Sequence, residues 1–173
     1  MISKKMVKAI NDQITKEYYS AYLYMSMSAY LETQDLPGFA KWMRNQAQEE
    51  LSHGTIMFNY VCDQGEHVKL GAIAAPQTQF KSLVHVYEET LKHEKVVTAS
   101  IHKIVDLAIK EKDHATKQFL EWFVQEQVEE EATANSWLGQ VKRVAKGGDA
   151  LFMVDKEAGA RVFTPPPALA GKI

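Results

Sequence analysis

Gln46-Ala47-Gln48-Glu49-Glu50-Leu51-Ser52-His53 interrupts a stripe that is otherwise greasy. Counted in steps of three and four, the residues around it are Phe39, Met43, Gln46, Glu50, His53, Met57 and Tyr60. That spacing returns to one side of an α-helix, whereas a strand would return every second residue. The stripe is apolar at both ends and acidic in the middle, and the rest of the chain decides what this means.

The same layout occurs three more times. One stripe reads Ile10, Ile14, Glu17, Ala21, Tyr24, Ser28, Leu31 and another Leu83, Tyr87, Thr90, Glu94, Val97, Ile101, Ile104, Ala108. The last reads Leu120, Phe123, Gln127, Glu130, Ala134, Trp137, Val141, Val144. Breaks fall at Asp35-Leu36-Pro37-Gly38, over 65–79, at Lys110-Glu111-Lys112-Asp113 and at Gly147-Gly148. Pro37 suits the first turn of a new helix and Asp113 can cap the one that follows it. Four long helices are therefore expected, over 4–33, 37–64, 83–110 and 114–145, with a short fifth over 149–158. At 1.5 Å per residue each long one is a rod on the order of 40–48 Å. The class is all-α, and alternating three–four seams on four long rods are those of a four-helix bundle. The stretch 65–79 is long enough to cross the bundle's length. The expected domain is 1–158, followed by a Pro-containing tail, 159–173, in which Thr164-Pro165-Pro166-Pro167 cannot be helical. Fifth helix and tail are expected at the periphery, the tail without fixed structure.

Composition narrows the function. A chain of 173 residues fits one domain, and 46% hydrophobic with 24% charged residues argues against disorder. Twenty Lys and Arg against 22 Asp and Glu leave a net charge of −2, without the basic excess of nucleic-acid-binding domains. Cys62 is the single cysteine, so neither an intrachain disulfide nor a Cys-based metal site can form. No apolar run approaches a membrane span and no secretory leader is visible, so a cytoplasmic protein without nucleic-acid or membrane partners is expected.

The acids in the seams matter most. Glu17, Glu50 with His53, Glu94, and Gln127 with Glu130 each lie near the middle of their segment. A helix midpoint sits at half height whichever way the helix runs, so these groups should meet at one level. Carboxylates gathered in an apolar core repel one another and lose hydration, at several kcal/mol each. Partial protonation is one escape and metal ions are the other; two divalent cations would balance four Glu. His53 follows Glu50 by three residues, one turn along the same face. A Glu-x-x-His helix with further Glu from its neighbours is the layout of di-iron and di-manganese carboxylate bundles. Oxygen-rich ligands with one imidazole suit Fe or Mn better than structural zinc. Glu111-Lys112-Asp113-His114 has the same spacing but straddles a helix break with no stripe around it, and reads as a solvated turn.

Over 1–158 the sequence resembles the ferritins, and among them the bacterial non-haem ferritins. The resemblance rests on Glu17 with Tyr24, on Gln48-Glu49-Glu50-Leu51-Ser52-His53, on His93-Glu94 and on Glu126-Gln127-Val128-Glu129-Glu130-Glu131. It implies a ferritin-like bundle with a long crossover after the second helix, and a hollow cage of two dozen subunits. It also implies an iron-storage protein that oxidises Fe(II) with O₂ or H₂O₂ at a di-iron ferroxidase centre inside each subunit and keeps the ferric mineral in the cage. By position, Glu17, Glu50 and His53 would bind the first iron. Glu50 would bridge to a second held by Glu94 and Glu130, with Gln127 as a polar partner and Tyr24 beside the centre. Glu49, Glu126 and Glu129 match a third iron site. By helix phase Glu126 lies about 40° from Glu130, and Glu49 and Glu129 about 100° from their stripes, at the rim of the core.

Two departures separate the chain from bacterioferritins. Gln127-x-x-Glu130 stands where they carry a second Glu-x-x-His, and Leu51 where they carry a haem-binding methionine, so haem is not expected. Two other readings use the same bundle: a di-iron enzyme acting on an organic substrate or peroxide, and a helical binding module without stoichiometric iron. Assembly has a signal of its own, because Tyr19, Tyr22, Leu23 and Tyr30 form a second apolar face on the back of their helix and are expected to meet another subunit. Gly54 in mid-helix costs up to ~1 kcal/mol relative to Ala, and close packing beside His53 is expected there.

Overall fold

The computed structural model describes residues 2–169; Met1 and the end of the tail, 170–173, lie outside them. Five α-helices are present among the described residues: α1 (Lys4–Glu32), α2 (Pro37–Asp63), α3 (Leu83–Glu111), α4 (His114–Val144) and α5 (Asp149–Ala158). A single 3-10 turn covers Pro167–Leu169. Three of the long helices start on a side-chain cap: Ser3 accepts from the Met6 amide, Ser82 from His85 and Asp113 from Thr116. Glu111 and His114 flank a turn in which Lys112 adopts φ 56°, and both are exposed.

Contacts between helices give the topology. Tyr24 meets Glu94, Gln13 meets Ser100 through its hydroxyl, and Ser3 meets Glu111, so α1 and α3 run antiparallel. Gln46 meets Glu130 and Tyr60 meets Thr116, so α2 and α4 are antiparallel too. Between α2 and α3 the crossover runs beside α1 in α1's own direction. The Gly71 amide donates to Thr15, Ser26 donates to the Gln77 carbonyl, and Phe80 packs on Tyr30 with ring centres 5.3 Å apart. All the mid-helix acids thus arrive at one height.

The apolar interior is not continuous. One cluster gathers Met27, Leu31, Phe39, Trp42, Met43, Tyr87 and Val141. A second, toward the other end, gathers Met6, Ile10, Ile14, Met57, Ile101, Leu120 and Phe123. The belt between them holds the polar residues, buried as deeply as the apolar ones.

The fifth helix and the described part of the tail lie at the surface, with Ala158 and Leu169 their buried residues, yet both are docked on α2. No side chain of α2 itself caps its N-terminus; instead the Asp155 carboxylate of α5 accepts from the Gly38 and Phe39 amides at 3.1 and 2.9 Å. A carboxylate there satisfies two orphan donors and complements the helix dipole. Ala158 is buried, the Arg161 carbonyl accepts from Asn45, and Leu169 reaches the far apolar cluster, so the tail follows α2 along its length. The sequence hid this because the tail has no periodic pattern and Arg161 looks like a solvated charge. Gly38 permits the docking: a Cβ there would lie 1.7 Å from the Asp155 carbonyl oxygen. Gly38→Ala, which elsewhere in a helix gains about 1 kcal/mol, is therefore expected to lose about 2 kcal/mol or more by pushing α5 off its cap. A lowered denaturant midpoint checks this.

One further expectation needs correction, and another gains its partner. Of the four back-face residues, Leu23 is buried, Tyr30 lies against Phe80, and Tyr19 lies 5.9 Å from the His93 ring, because the crossover and α3 cover them. Tyr22 alone stays exposed and, with Met25, Leu51 and Ile73, lines an apolar groove between α1 and α2. At Gly54 the close neighbour is the Tyr18 ring of α1, 2.4 Å from where a Cβ would stand.

Candidate metal centre

Glu17, Glu50, His53, Glu94, Gln127 and Glu130 are all buried in the belt. One oxygen or nitrogen from each of Glu17, Glu50 and His53 lies within 4.8 Å of the others, and the same holds for His53, Glu126 and Glu130. The imidazole stands between the two groups: Nδ1 is 3.5 Å from Glu50 Oε2, and Nε2 is 3.9 Å from Glu126 Oε1. Helix geometry produces this, because Glu50 and His53 lie one turn apart on α2 while α4 presents Gln127 and Glu130 from the opposite wall.

Three of the buried carboxylates are held by a neutral donor. Gln13 Nε2 donates to Glu17 Oε1 at 2.8 Å, Gln46 Nε2 to Glu130 Oε2 at 2.7 Å, and Tyr24 Oη to Glu94 Oε1. Gln127 Nε2 lies 3.3 Å from Glu94 Oε2 and 3.2 Å from Thr98 Oγ1. Behind Gln13 the chain of bonds continues outward: Ser100 donates to Gln13 Oε1 at 2.5 Å and Lys16 Nζ donates to Ser100 at 2.6 Å. Sequence reasoning missed Gln13, Ser100 and Arg161 as parts of the site. A signal existed for the amides, since Gln13 precedes Glu17 and Gln46 precedes Glu50 by four residues, as Gln127 precedes Glu130 by three.

Charge in the belt is strained. Burial pushes the Glu50 and Glu130 carboxyls well above the usual range, with repulsion from Glu94 adding to each. Burial also lifts Glu94 to about 7, moderated by the bonds from Tyr24 and Gln127. The Tyr24 phenol is driven up by burial and by the negative charges of Glu94, Glu50 and Glu130. His93 is lowered to about 4 by burial, and its neutral ring meets Ser20 Oγ at 2.7 Å. Among the described residues, Glu17 Oε2 and His53 Nε2 are buried without a hydrogen-bond partner. Orphaned polar atoms of this kind are costly, and a cation bound between a carboxylate oxygen and an imidazole nitrogen would satisfy both. Oxygen ligands around one imidazole fit a hard or borderline divalent ion.

The third-site residues divide. Glu126 is half-buried beside His53, and burial raises its carboxyl. Glu129 is exposed, and Glu49 is paired with the Arg161 guanidinium.

Comparison with known proteins gives a consistent picture. A family model described as a ferritin-like domain matches residues 7–144. A bacterial non-heme ferritin of Staphylococcus aureus is 38% identical over 163 residues, covering 94% of this chain and 98% of that protein. The bacterial non-heme ferritin of Staphylococcus haemolyticus is 39% identical with the same coverage. The open-pore ferritin of the hyperthermophilic archaeon Archaeoglobus fulgidus superposes with a TM-score of 0.92 at 45% identity, covering 94% of this chain and 100% of that one. Its engineered closed form gives 0.93 at 46%, covering 95% and 100%. Among the described residues no helix is long and apolar enough to cross a membrane.

Proposed function

This chain belongs to the ferritin family and is an iron-storage protein, and from that premise we propose that its acidic belt is where Fe(II) is oxidised before storage. The observation that carries this reading is the meeting of four Glu and His53 from four helices, with Glu17 Oε2 and His53 Nε2 buried and, among the described residues, unpartnered. Glu17, Glu50 and His53 hold one ferrous ion; Glu50 bridges to a second, held by Glu94 and Glu130. Two ions about 3.5–4 Å apart can each give one electron to a single oxidant. With two protons, O₂ then becomes H₂O₂, or H₂O₂ becomes two waters, and two Fe(III) remain. Carboxylates stabilise Fe(III) more than Fe(II), which drives the step. Tyr24 keeps Glu94 in place as a hydrogen-bond donor and stands ready as an electron donor. Gln127, neutral and weakly binding, lets the ferric product leave. A third, weaker ion is assigned to Glu126 with Glu129 and Glu49, the last contested by Arg161.

The exposed groove of Tyr22, Met25, Leu51 and Ile73 supports association of subunits into a 24-subunit cage. Localisation in the cytoplasm belongs to the same reading. Anaerobic titration with Fe(II) followed by air tests the centre: two ferrous ions per chain are expected to oxidise in a fast phase, in a particle of cage size. Absence of saturable binding would overturn it.

A further inference from the structure

Arg161 follows α5 and places its guanidinium over the buried Trp42 ring, its central carbon 4.6 Å from the ring centre. From there Nη1 donates to Gln46 Oε1 at 2.8 Å and Nη2 pairs with the Glu49 carboxylate. The main chain is fastened as well, since the Arg161 carbonyl accepts from Asn45 Nδ2 at 2.8 Å. Both charged side chains are more than three-quarters covered, so water screens the pair little.

Gln46 has one acceptor end and one donor end, and a cation has claimed the acceptor. Its amide is therefore fixed with Nε2 toward Glu130, where it makes the 2.7 Å bond. An arginine cannot lose its charge at any ordinary pH, and its fork holds two partners at once where a lysine would hold one.

We propose that Arg161 is a positioning residue of the metal centre, a permanent cation delivered by the tail that occupies Glu49 and fixes Gln46 toward Glu130. This rests on the di-iron reading of the belt and adds to it a built-in competitor for the third ion. While Arg161 is docked, Glu49 is neutralised and an ion beside Glu126 lacks that ligand. When it is removed, Glu49 is free to bind and the Gln46 amide is free to turn.

Co(II) alone, titrated anaerobically into the assembled protein and followed by calorimetry and visible absorption, tests the assignment. Native chain is expected to bind two ions tightly. Arg161→Leu is expected to bind one more, and to hold the second of the tight ions about tenfold more weakly. The double variant Arg161→Leu with Glu49→Gln should lose the additional ion, and Arg161→Lys, which keeps the charge, should keep the native count. Unchanged count and affinity in Arg161→Leu overturns the proposal. So does an additional ion that persists in the double variant or also appears in Arg161→Lys. Failure of the native chain to bind cobalt stoichiometrically would instead remove the di-iron reading itself.

Discussion

Glu50→Gln is expected to slow the initial oxidation of Fe(II) by about 100-fold or more while raising the thermal midpoint of the metal-free protein. The two effects come from one cause. Glu50 is the carboxylate that both ions would share, and an amide in its place is a weak, neutral ligand. In the metal-free belt the same carboxylate repels Glu17, Glu94 and Glu49. Glutamine has the same shape, so no cavity opens, and removing one buried acid relaxes the others. Each kcal/mol recovered in a chain of this size moves the midpoint by about 2–4 °C. Opposite movement of stability and activity marks a residue kept for function against stability. Stopped-flow absorbance and a thermal scan check both halves, and oxidation at the native rate would take Glu50 out of the centre.

Metal-free protein should lose stability as pH rises from 5 to 8, against the usual trend for acidic proteins. In the unfolded chain these carboxyls ionise near 4.5; in the fold Glu94 does so at about 7, and burial holds Glu50 and Glu130 well above their ordinary range too. Between those values the folded belt holds protons that the unfolded chain has already released. The contribution is complete below 4.5 and drains away as pH climbs through 7 and beyond. For Glu94 alone the shift corresponds to roughly 3 kcal/mol at 1.36 kcal/mol per pH unit. A divalent ion replaces those protons, and at a thousandfold excess over its dissociation constant it contributes about 4 kcal/mol. Thermal midpoints of the chelator-treated protein should therefore fall by several degrees over this range, and those of metal-loaded protein should not. A flat or rising metal-free profile would show that the acids are not buried together.

The four rods and the acids at their waist were legible because both follow from periodicity. Leu, Ile, Phe and Met at three–four steps report burial, and Glu17, Glu50, Glu94 and Glu130 stand out as violations of that pattern. What escaped was set by contacts without a period. Arg161 looks like any exposed charge until Trp42, Gln46 and Glu49 are brought beneath it by α5 and the tail. Tyr19, Leu23 and Tyr30 were rightly read as apolar, yet the pattern cannot distinguish a face covered by a neighbouring subunit from one covered by the chain's own crossover. Gly54 announced close packing but not the partner, since Tyr18 lies on another helix.

On the proposed reading the belt must fill and empty many times without coming apart, and the interior is divided in a way that suits this. Two separate greasy blocks grip the helices above and below the belt, like hands holding a bundle of reeds at either end. The span between is held by hydrogen bonds, while the apolar blocks keep register. Any rearrangement on loading would thereby fall in the middle, where glutamines and a tyrosine hold the carboxylates.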